Sequence, residues 1–150
     1  WGNITEFKGF DLITPNEREA RFALGDQDST LGSLASLLHE SSAYKNLILK
    51  LGDRGIFCVN KNTDVKNPYF SIDSFASNVV DAVGAGDALL AYSTLTMLAT
   101  GSLVKAGILG SMAAACECEY DGNIPIRPEN LLEKIDAVEK MTGYKTNTPS

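Results

Sequence analysis

Apolar and polar residues are grouped along the chain in a way that predicts a strand followed by a helix. The short apolar run at residues 10–14 stops at Pro15, which is typical of a strand end. Thr14, Pro15 and Glu17 then have the spacing of an N-cap, a first helical residue and a capping box. We expect this helix to begin at Pro15 and to end near Gly25.

The next group of residues predicts a second helix and a β-hairpin. Ser29 or Thr30 can cap a helix whose leucines share one face. These leucines are Leu31, Leu34, Leu37 and Leu38. Residues 46–51 contain contiguous apolar side chains, as in a strand that is buried on both faces. A turn at residues 52–55 joins this stretch to residues 56–59, so we expect the two strands to form a hairpin.

A strand at residues 69–72 precedes a long uncharged stretch. Residues 88–104 carry no charge, and their number approaches the length of a membrane span. Gly101 and Ser102, however, have the pattern of a helix stop followed by a new N-cap. This pattern favours two helices packed in a core, and we expect the second to run from Ser102 to Cys118.

The last part of the chain predicts a turn at residues 121–123, an extended stretch at residues 124–126 and a helix that opens at Pro128. The apolar residues of this helix recur at the spacing of one face, and they are Leu131, Ile135 and Val138. Polar stretches predict a loop and a tail at residues 60–68 and 145–150. Because strands alternate with helices, we expect an α/β fold with a mostly parallel sheet.

The composition fits one globular domain. The chain has 150 residues, of which 44% are hydrophobic and 21% are charged, and this is enough to build a core. The formal net charge of −6 argues against a nucleic-acid partner and against docking on an anionic membrane. It does not exclude an anionic substrate, since a few backbone N–H groups can hold a phosphate in an acidic protein.

The cysteines, the histidine and the first residue bear on three further questions, namely the compartment, metal binding and the extent of the protein. Three cysteines without C-x-x-C spacing favour a reducing, cytoplasmic compartment. Cys116 and Cys118 are expected to pack their thiols inward at a helix end rather than to bind a metal. His39, the single histidine, is expected to be an ordinary helix residue. Since Trp1 stands in place of an initiator Met, we expect a piece of a longer protein.

Residues 81–87 carry the most informative chemistry of the chain. Gly84 and Gly86 let backbone N–H groups point into one small volume at the start of a helix, where the helix dipole also favours an anion. Asp87 follows directly and can accept a proton from a hydroxyl that lies close to that anion. A hydroxyl, a phosphoryl anion and a base are the components of phosphoryl transfer. The structural alternative is a tight turn with Asp87 as a helix cap.

The same segment resembles the D-T-x-G-A-G-D signature of the ribokinase-like (PfkB) carbohydrate kinases, with Ala82 where the family has Thr. The resemblance implies that Asp87 is the catalytic base, which deprotonates a sugar hydroxyl. It implies that the anion hole is formed by Gly84, Ala85 and Gly86. It also implies a three-layer α-β-α fold with helices on both faces of the sheet, of which residues 1–150 are the C-terminal part.

Two further motifs follow the order of this family. Residues 14–20 resemble its T-P-N-x-x-E-A stretch, in which Asn16 and Glu19 would help to hold Mg²⁺ through water, and Asn16 would lie near the nucleotide. Residues 49–55 resemble its T-x-G-x-x-G turn at the nucleotide site, with Lys50 in place of Thr. The nucleotide-binding set implied here is Asn16, Lys50, Gly52, Gly55 and Ser111, the last where members often have Asn. The alternatives are a capped surface helix with an outward Glu and an ordinary hairpin turn.

The resemblance also implies cofactors and a reaction. Many members bind a monovalent cation, usually K⁺, and the ligands here would be the Asp81 carboxylate, the Val83 carbonyl and carbonyls of residues 117–122, including Gly122. The reaction would be ATP-dependent, Mg²⁺-assisted phosphorylation of a sugar or sugar phosphate. The chain is weakly similar to heptose-phosphate kinases.

Other interpretations remain open at this point. One is a non-catalytic nucleotide- or partner-binding module, with Ala82, Lys50 and Ser111 as signs of drift, and another is an unrelated phosphate-binding α/β protein. In the kinase interpretation the N-terminal, sugar-binding and lid part is absent from these 150 residues. We therefore expect the chain alone to bind adenine nucleotide weakly, to lack kinase activity and to form a homo-oligomer through its open sheet edge.

Overall fold

A sheet with α-helices on both faces forms the described part of the computed structural model, which covers residues 3–61, 68–119 and 125–143. The strands are β1 (Leu12–Ile13), β2 (Asn46–Lys50), β3 (Ile56–Asn60) and β4 (Tyr69–Ile72). The helices are α1 (Glu17–Leu24), α2 (Leu31–Ser42), α3 (Ala85–Thr100), α4 (Leu103–Glu119) and α5 (Pro128–Thr142). Short 3-10 turns cover Ile4–Glu6 and Gly52–Arg54.

The sheet has the strand order β1-β2-β3-β4 and is mixed. β1 and β2 run parallel, whereas β2 with β3 and β3 with β4 are antiparallel. The expectation of a mostly parallel sheet is therefore wrong for the described strands. Parallel neighbours need a long crossover, which α1 and α2 supply only between β1 and β2. The predicted hairpin is confirmed, with Leu47 opposite Val59 and Leu49 opposite Phe57.

Alternating side chains of the sheet build a separate core on each face. Leu47 and Leu49 of β2 pack with Leu34 and Leu38 of α2 on one face. On the other face, Ile48 packs with residues of α3 and α4. The residues on this second face include Cys58, Leu89 and Leu103. The predicted three-layer arrangement with helices on both faces is confirmed.

Helix α1 begins later than the sequence pattern predicts. Its N-cap is Asn16, not Thr14, and the capping box is completed by Glu19, not Glu17. The Pro15 carbonyl accepts a hydrogen bond from the Lys50 N–H at 2.9 Å, which extends the β1–β2 pairing and keeps the chain extended up to Asn16. The capping pattern thus applies two residues downstream. The predicted end at Gly25, which has a φ of 63°, is confirmed.

Helices α3 and α4 form a closely packed antiparallel pair, as predicted. The Ser93 hydroxyl donates to the Ala106 carbonyl at 3.0 Å. A Cβ atom on Gly110 would lie 3.0 Å from the Leu89 carbonyl oxygen and would collide with Ser93. Small side chains at this crossing therefore set the distance between the helices. Within residues 3–61, 68–119 and 125–143, no helix is long and apolar enough to cross a membrane.

Helix α5 begins at Pro128 as predicted, and its apolar stripe packs on α4. Leu131 is buried against Met112 and Ala113, with Ile135 and Val138 beside it. On α2, Leu34 and Leu38 are buried, but Leu37 of the predicted face is 41% exposed. Residues 62–67 of the predicted loop, the turn at 121–123, Ile124 and the tail at 145–150 lie outside the described residues.

Candidate active site

Three motifs of the sequence converge at the end of β2. Asn16, which caps α1, forms an isolated parallel bridge with Lys50. The Lys50 ammonium lies 3.1 Å from the point that a Cβ atom on Gly86 would occupy, in the first turn of α3. The N-termini of two helices and the C-terminal end of the parallel strand pair are thus brought together.

A cavity of about 400 Å³ opens at this place. The predicted residues among its walls are Lys50, Gly52, Gly55, Ala85, Gly86 and Ser111. A second, more open cavity of about 750 Å³ lies next to it, contains Asn16 in its wall and shares Lys50 and Gly52. The residues that the resemblance places around a nucleotide therefore line these two neighbouring cavities. Gly84, Asp87, Asp81, Val83 and Glu19 are not in these walls.

Residues 84–86, which we call the glycine turn, cap the N-terminus of α3 with backbone groups and without a side-chain hydrogen bond. Gly84 is the N-cap with φ 87° and ψ −22°, a left-handed conformation that side-chain-bearing residues rarely adopt, and it provides no side-chain cap. Its carbonyl accepts hydrogen bonds from the N–H groups of Asp87 and Ala88, both at 2.9 Å. The first N–H groups of a helix lack helical acceptors and lie at its positive end, which is suited to an anion.

Asp87 lies in the first turn of α3, directly after the cavity residue Gly86. Its side chain is exposed to solvent. The structure therefore places a carboxylate on the turn that would bind the anion, and leaves it accessible to an incoming hydroxyl. A general base needs this access and a position within hydrogen-bond reach of the proton that it removes.

Asn16 and Glu19 hold each other at the start of α1. The Asn16 Oδ1 accepts from the Glu19 N–H at 2.7 Å, and the Glu19 Oε2 accepts from the Asn16 N–H at 2.8 Å. Glu19 thus bends back over the helix end instead of pointing outward. Amide and carboxylate oxygens suit Mg²⁺, which commonly keeps several water ligands. No group of three or more His, Cys, Asp or Glu able to hold a metal occurs in the described part of the chain.

The two glycines of the hairpin turn have different surroundings. Gly55 has a φ of 84°, and a Cβ atom there would collide with the Ile72 carbonyl oxygen and lie 2.7 Å from the Asp73 carbonyl carbon. Gly52 has a φ of 68°, but a Cβ atom there would meet nothing within 4 Å. Packing against the end of β4 therefore requires Gly55, whereas the space beside Gly52 is open.

The loop before the glycine turn is attached to the end of α4. The N–H groups of Val80 and Asp81 donate to the Cys118 carbonyl at 2.7 and 3.2 Å. The Asp81 Oδ1 accepts from the Val83 N–H at 3.0 Å. The structure thus brings Asp81 next to residues 117–119, as a shared cation site would require, while Gly122 lies outside the described residues.

Two acidic residues near this loop have contacts or burial that the sequence pattern does not predict. Glu119 Oε1 accepts hydrogen bonds from the Ser77 N–H and hydroxyl, at 3.1 and 2.8 Å, and from Lys134 at 2.6 Å. Burial would raise the pKa of Glu119, but the hydrogen bonds from Lys134 and Ser77 outweigh it and hold the pKa below its ordinary value. The available signal was Lys134, a charge beside Leu131 and Ile135 on the apolar stripe of α5.

Glu117 is the second of these residues. It is 3% exposed, and its Oε1 has no hydrogen-bond partner within residues 3–61, 68–119 and 125–143. An unpartnered buried carboxylate oxygen is costly, and a cation or a proton would lower that cost. The sequence gives no sign of this burial, because α4 has acidic residues only at its last turn, where exposure is usual.

The thiols are free and unreactive in character. Burial raises the pKa of Cys58 to about 12. Burial, with the charges of Glu117, Glu119 and Asp81, also raises the pKa of Cys118, which lies in the wall of the smaller cavity. Cys116 is buried as predicted, whereas Cys118 is only half-buried. A thiolate nucleophile is therefore disfavoured at this site.

The chain superimposes on solved structures of ribokinases and of a phosphofructokinase. The chain superimposes on Thermotoga maritima ribokinase with a TM-score of 0.70 and 29% identity, covering 84% of this chain and 42% of that one. Escherichia coli phosphofructokinase-2 in complex with potassium gives a TM-score of 0.75 at 17% identity, with 90% and 43% covered. Arabidopsis thaliana ribokinase complexed with ribose and ATP gives 0.69 at 22% identity, with 83% and 40% covered. The fold is ribokinase-like.

Sequence comparison refines this class. Residues 5–130 match the family described as pfkB family carbohydrate kinase, and the chain belongs to that family. The bifunctional protein HldE of Marinomonas sp. (strain MWYL1) is 27% identical over 143 residues, which are 94% of this chain and 28% of HldE. HldE of Helicobacter acinonychis (strain Sheeba) is 31% identical over 116 residues, 75% of this chain and 24% of HldE. The chain thus spans about a quarter of these relatives.

Proposed function

We propose that this chain is the C-terminal, nucleotide-side part of a kinase that transfers phosphate from ATP to a hydroxyl of a sugar or sugar phosphate. The observation that carries this proposal is the convergence of the α3 glycine turn, Lys50 and the α1 cap around one cavity region. Membership of a carbohydrate kinase family supports it, as does the likeness to a ribokinase whose structure holds ribose and ATP.

The reaction assigns a role to each group on the glycine turn. Asp87 accepts the proton of the hydroxyl while the hydroxyl oxygen forms a bond to the γ-phosphorus. The bond between that phosphorus and the bridging oxygen of ADP breaks, and ADP leaves with the electron pair. The backbone N–H groups of Gly84, Ala85 and Gly86 stabilise the negative charge on the transferring phosphoryl group, which is the dominant demand of this reaction.

The nucleotide itself would lie along the cavity region. Asn16, Lys50 and Gly52 line the two cavities and would contact the phosphates, with Gly55 shaping the turn and Ser111 on the wall formed by α4. Mg²⁺, when bound with ATP, supplies positive charge at the β- and γ-phosphates. Asn16 and Glu19 would hold it through water with the oxygen lone pairs that the capping box leaves over.

A monovalent cation, K⁺, is proposed beside the anion hole. Its ligands would be the Asp81 carboxylate, the Val83 carbonyl and carbonyls of residues 117–122, including Gly122. Hydrogen bonds that bring Asp81 to the end of α4 support this site, and so does the buried Glu117 oxygen without a partner. The phosphofructokinase-2 structure in complex with potassium is a related precedent for the fold.

The test is the substitution Asp87→Asn in a chain extended to the length of the relatives. We expect kcat for sugar-dependent ADP release to fall roughly 10²- to 10⁴-fold, because the variant lacks the proton acceptor. ATP affinity should change little, since the lost interaction belongs to the transition state. The matched control is Asp136→Asn, on the exposed face of α5, which should keep full activity.

The 150-residue chain provides the second half of the test. It should bind ATP weakly in a calorimetric titration and should show no sugar-dependent ADP release, because we propose that the acceptor hydroxyl is held in line with the γ-phosphate by a different part of the longer kinase. Retained kcat in the Asp87→Asn variant would contradict the general-base role. ATP binding without turnover in the extended chain would favour the non-catalytic module.

A further inference from the structure

Lys50 is the residue at which this chain departs most from the sugar-kinase turn motif that it resembles. It is the last residue of β2 and it is half-buried. Side chains alternate along a strand, so Lys50 shares the sheet face of Ile48, which packs with α3 and α4. Its ammonium accordingly reaches the first turn of α3, 3.1 Å from the Cβ position of Gly86.

No acidic partner neutralises this ammonium. Within residues 3–61, 68–119 and 125–143, Lys50 forms no ion pair and its side chain donates no hydrogen bond. Asp53 lines the same cavity without pairing with it. Glu17, in the wall of the neighbouring cavity, is paired with Arg21 and Arg54 instead. Among the described residues, the half-buried Lys50 thus has no ion-pair partner.

The surroundings of Lys50 add to its positive charge. The ammonium lies at the N-terminal turn of α3, and Asn16, the N-cap of α1, is bridged to the Lys50 backbone. The N-terminal end of a helix carries a partial positive charge, so it favours anions and disfavours cations. A lysine between two such ends is therefore well placed to bind an anion. The two cavities that share Lys50 in their walls provide the space, about 400 and 750 Å³.

We propose that the Lys50 ammonium pairs directly with the phosphate chain of a di- or triphosphate, so that the site binds this chain without a divalent cation. The inference rests on the proposed function and extends it to how the ligand is recognised. Threonine, with a neutral hydroxyl, could offer one hydrogen bond but no charge. A hydrogen bond to a charged partner contributes more than a neutral one, and an ammonium is compact enough to serve neighbouring phosphate oxygens.

The test is a calorimetric titration of the 150-residue chain with sodium tripolyphosphate, in EDTA and at low salt. We expect Lys50→Gln and Lys50→Thr to weaken binding roughly tenfold to a hundredfold, the range for loss of a charged hydrogen bond. Lys50→Arg should keep most of the affinity. The control Lys105→Gln, which removes the same charge from an exposed position on α4, should leave binding unchanged.

Two further measurements separate a ligand role from a structural one. The dependence of affinity on salt should become shallower in Lys50→Gln, because one ion pair is lost, whereas a packing role would leave it unaltered. Adding Mg²⁺ should restore much more ATP affinity in Lys50→Thr than it adds to the unaltered chain. Thermal unfolding checks that each variant is folded, and Lys50→Arg keeps the question answerable if Lys50→Gln does not fold.

Specific outcomes would overturn the proposal. Equal tripolyphosphate affinity in the Lys50→Gln variant and the unaltered chain would do so, as would a requirement of the unaltered chain for Mg²⁺. In either case binding of ATP with Mg²⁺ would leave the kinase function intact, whereas loss of all ATP and polyphosphate binding would overturn both. Orthophosphate that binds as tightly as tripolyphosphate would indicate a single-phosphate subsite, such as one for a sugar phosphate, and would also contradict the proposal.

Discussion

The glycines of the two glycine-rich turns are required for different physical reasons, although the motifs that they resemble do not distinguish them. Gly84 has a left-handed conformation at the start of α3, and Gly52 has a positive φ beside open space. Gly55 has a φ of 84° and a ψ of −133°, outside the left-handed helical region, and it lies against the backbone of the strand end at Ile72. A resemblance to a nucleotide-binding turn assigns Gly52 and Gly55 the same role. The structure indicates that Gly55 is first of all a packing requirement.

This difference predicts unequal effects of two equivalent substitutions. Gly55→Ala should destabilise the chain by roughly 3 kcal/mol or more, since a sparsely populated positive-φ conformation costs about 1–3 kcal/mol and the collision with the end of β4 adds to it. Gly52→Ala should cost only about 1–2 kcal/mol, the conformational part alone. Urea unfolding followed by circular dichroism measures both, and equal midpoints would refute the distinction.

At the start of α1 the sequence identifies the capping residues only by type. Thr14 and Glu17 fit a capping box as well as Asn16 and Glu19 do, because both pairs have the same spacing. The deciding contact is the Lys50 N–H that donates to the Pro15 carbonyl, from a strand 35 residues away. Sequence spacing contains no information on that contact, so the pattern could not choose between the pairs. The motif resemblance did single out Asn16 and Glu19.

Hydrogen bonds at the end of α4 connect three parts of the chain next to the glycine turn, and we call these contacts of Glu119 and Cys118 the clamp. Glu119 at the end of α4 binds Ser77 of the loop before the turn and Lys134 of α5. Cys118 accepts from the N–H groups of Val80 and Asp81 in the same loop. The position of the loop that leads into α3 therefore depends on the end of α4.

The clamp predicts a pH-dependent stability. Because the folded-state pKa of Glu119 lies below its ordinary value of 4.5, its contribution is present above that pH and is lost as the pH falls through the folded-state pKa. Glu119→Gln should cost about 1–3 kcal/mol near pH 7, and the difference from the unaltered chain should shrink as the pH falls below 4.5 and through the folded-state pKa. Chemical unfolding at neutral and at acid pH measures this difference.

The control Glu133→Gln, on the exposed side of α5, should show little effect at either pH. A Glu119→Gln deficit that stays constant from neutral to acid pH would contradict the clamp.

The elements themselves were largely predictable, but their pairing was not. Local signals such as the turn at residues 52–55, Pro128 and the leucines of α2 identify individual strands and helices. The parallel sheet was inferred from alternation of strands and helices, which applies only from β1 to β2. Only eight residues separate β3 from β4, fewer than a parallel crossover needs, and these two strands pair antiparallel. The cavity could be anticipated only through the family resemblance, because its walls come from separate parts of the chain.

Two surfaces of the described structure are open at the scale of the whole molecule, one at a sheet edge and one on a helix. β1 is the terminal strand of the sheet and pairs only with β2 among the described strands. On α3, the flank away from α4 exposes Leu90, Leu95 and Leu98 by 44%, 62% and 81%. Residues 88–104 carry no charge, so a second copy can cover this flank without like-charge repulsion despite the net charge of −6.

We therefore predict that the 150-residue chain self-associates through the α3 flank and the β1 edge. Multi-angle light scattering should give a dimer or a larger species, and Leu98→Glu should shift it toward the monomer because each partner would then bury a charge. Leu132→Glu, at a 60% exposed position on α5, is the matched control and should not alter the mass. A monomeric unaltered chain would disprove this prediction.

Helix α3 connects the proposed site with the exposed leucine flank. Leu98 lies 11 residues after Asp87, which is ~16.5 Å along the helix axis, and the contact of Ser93 with α4 lies between them. Under the proposed function, a partner that binds at Leu98 and shifts α3 would therefore also shift the carboxylate that we propose as the base. A misplacement of ~1 Å at a reacting group can cost about a hundredfold in rate.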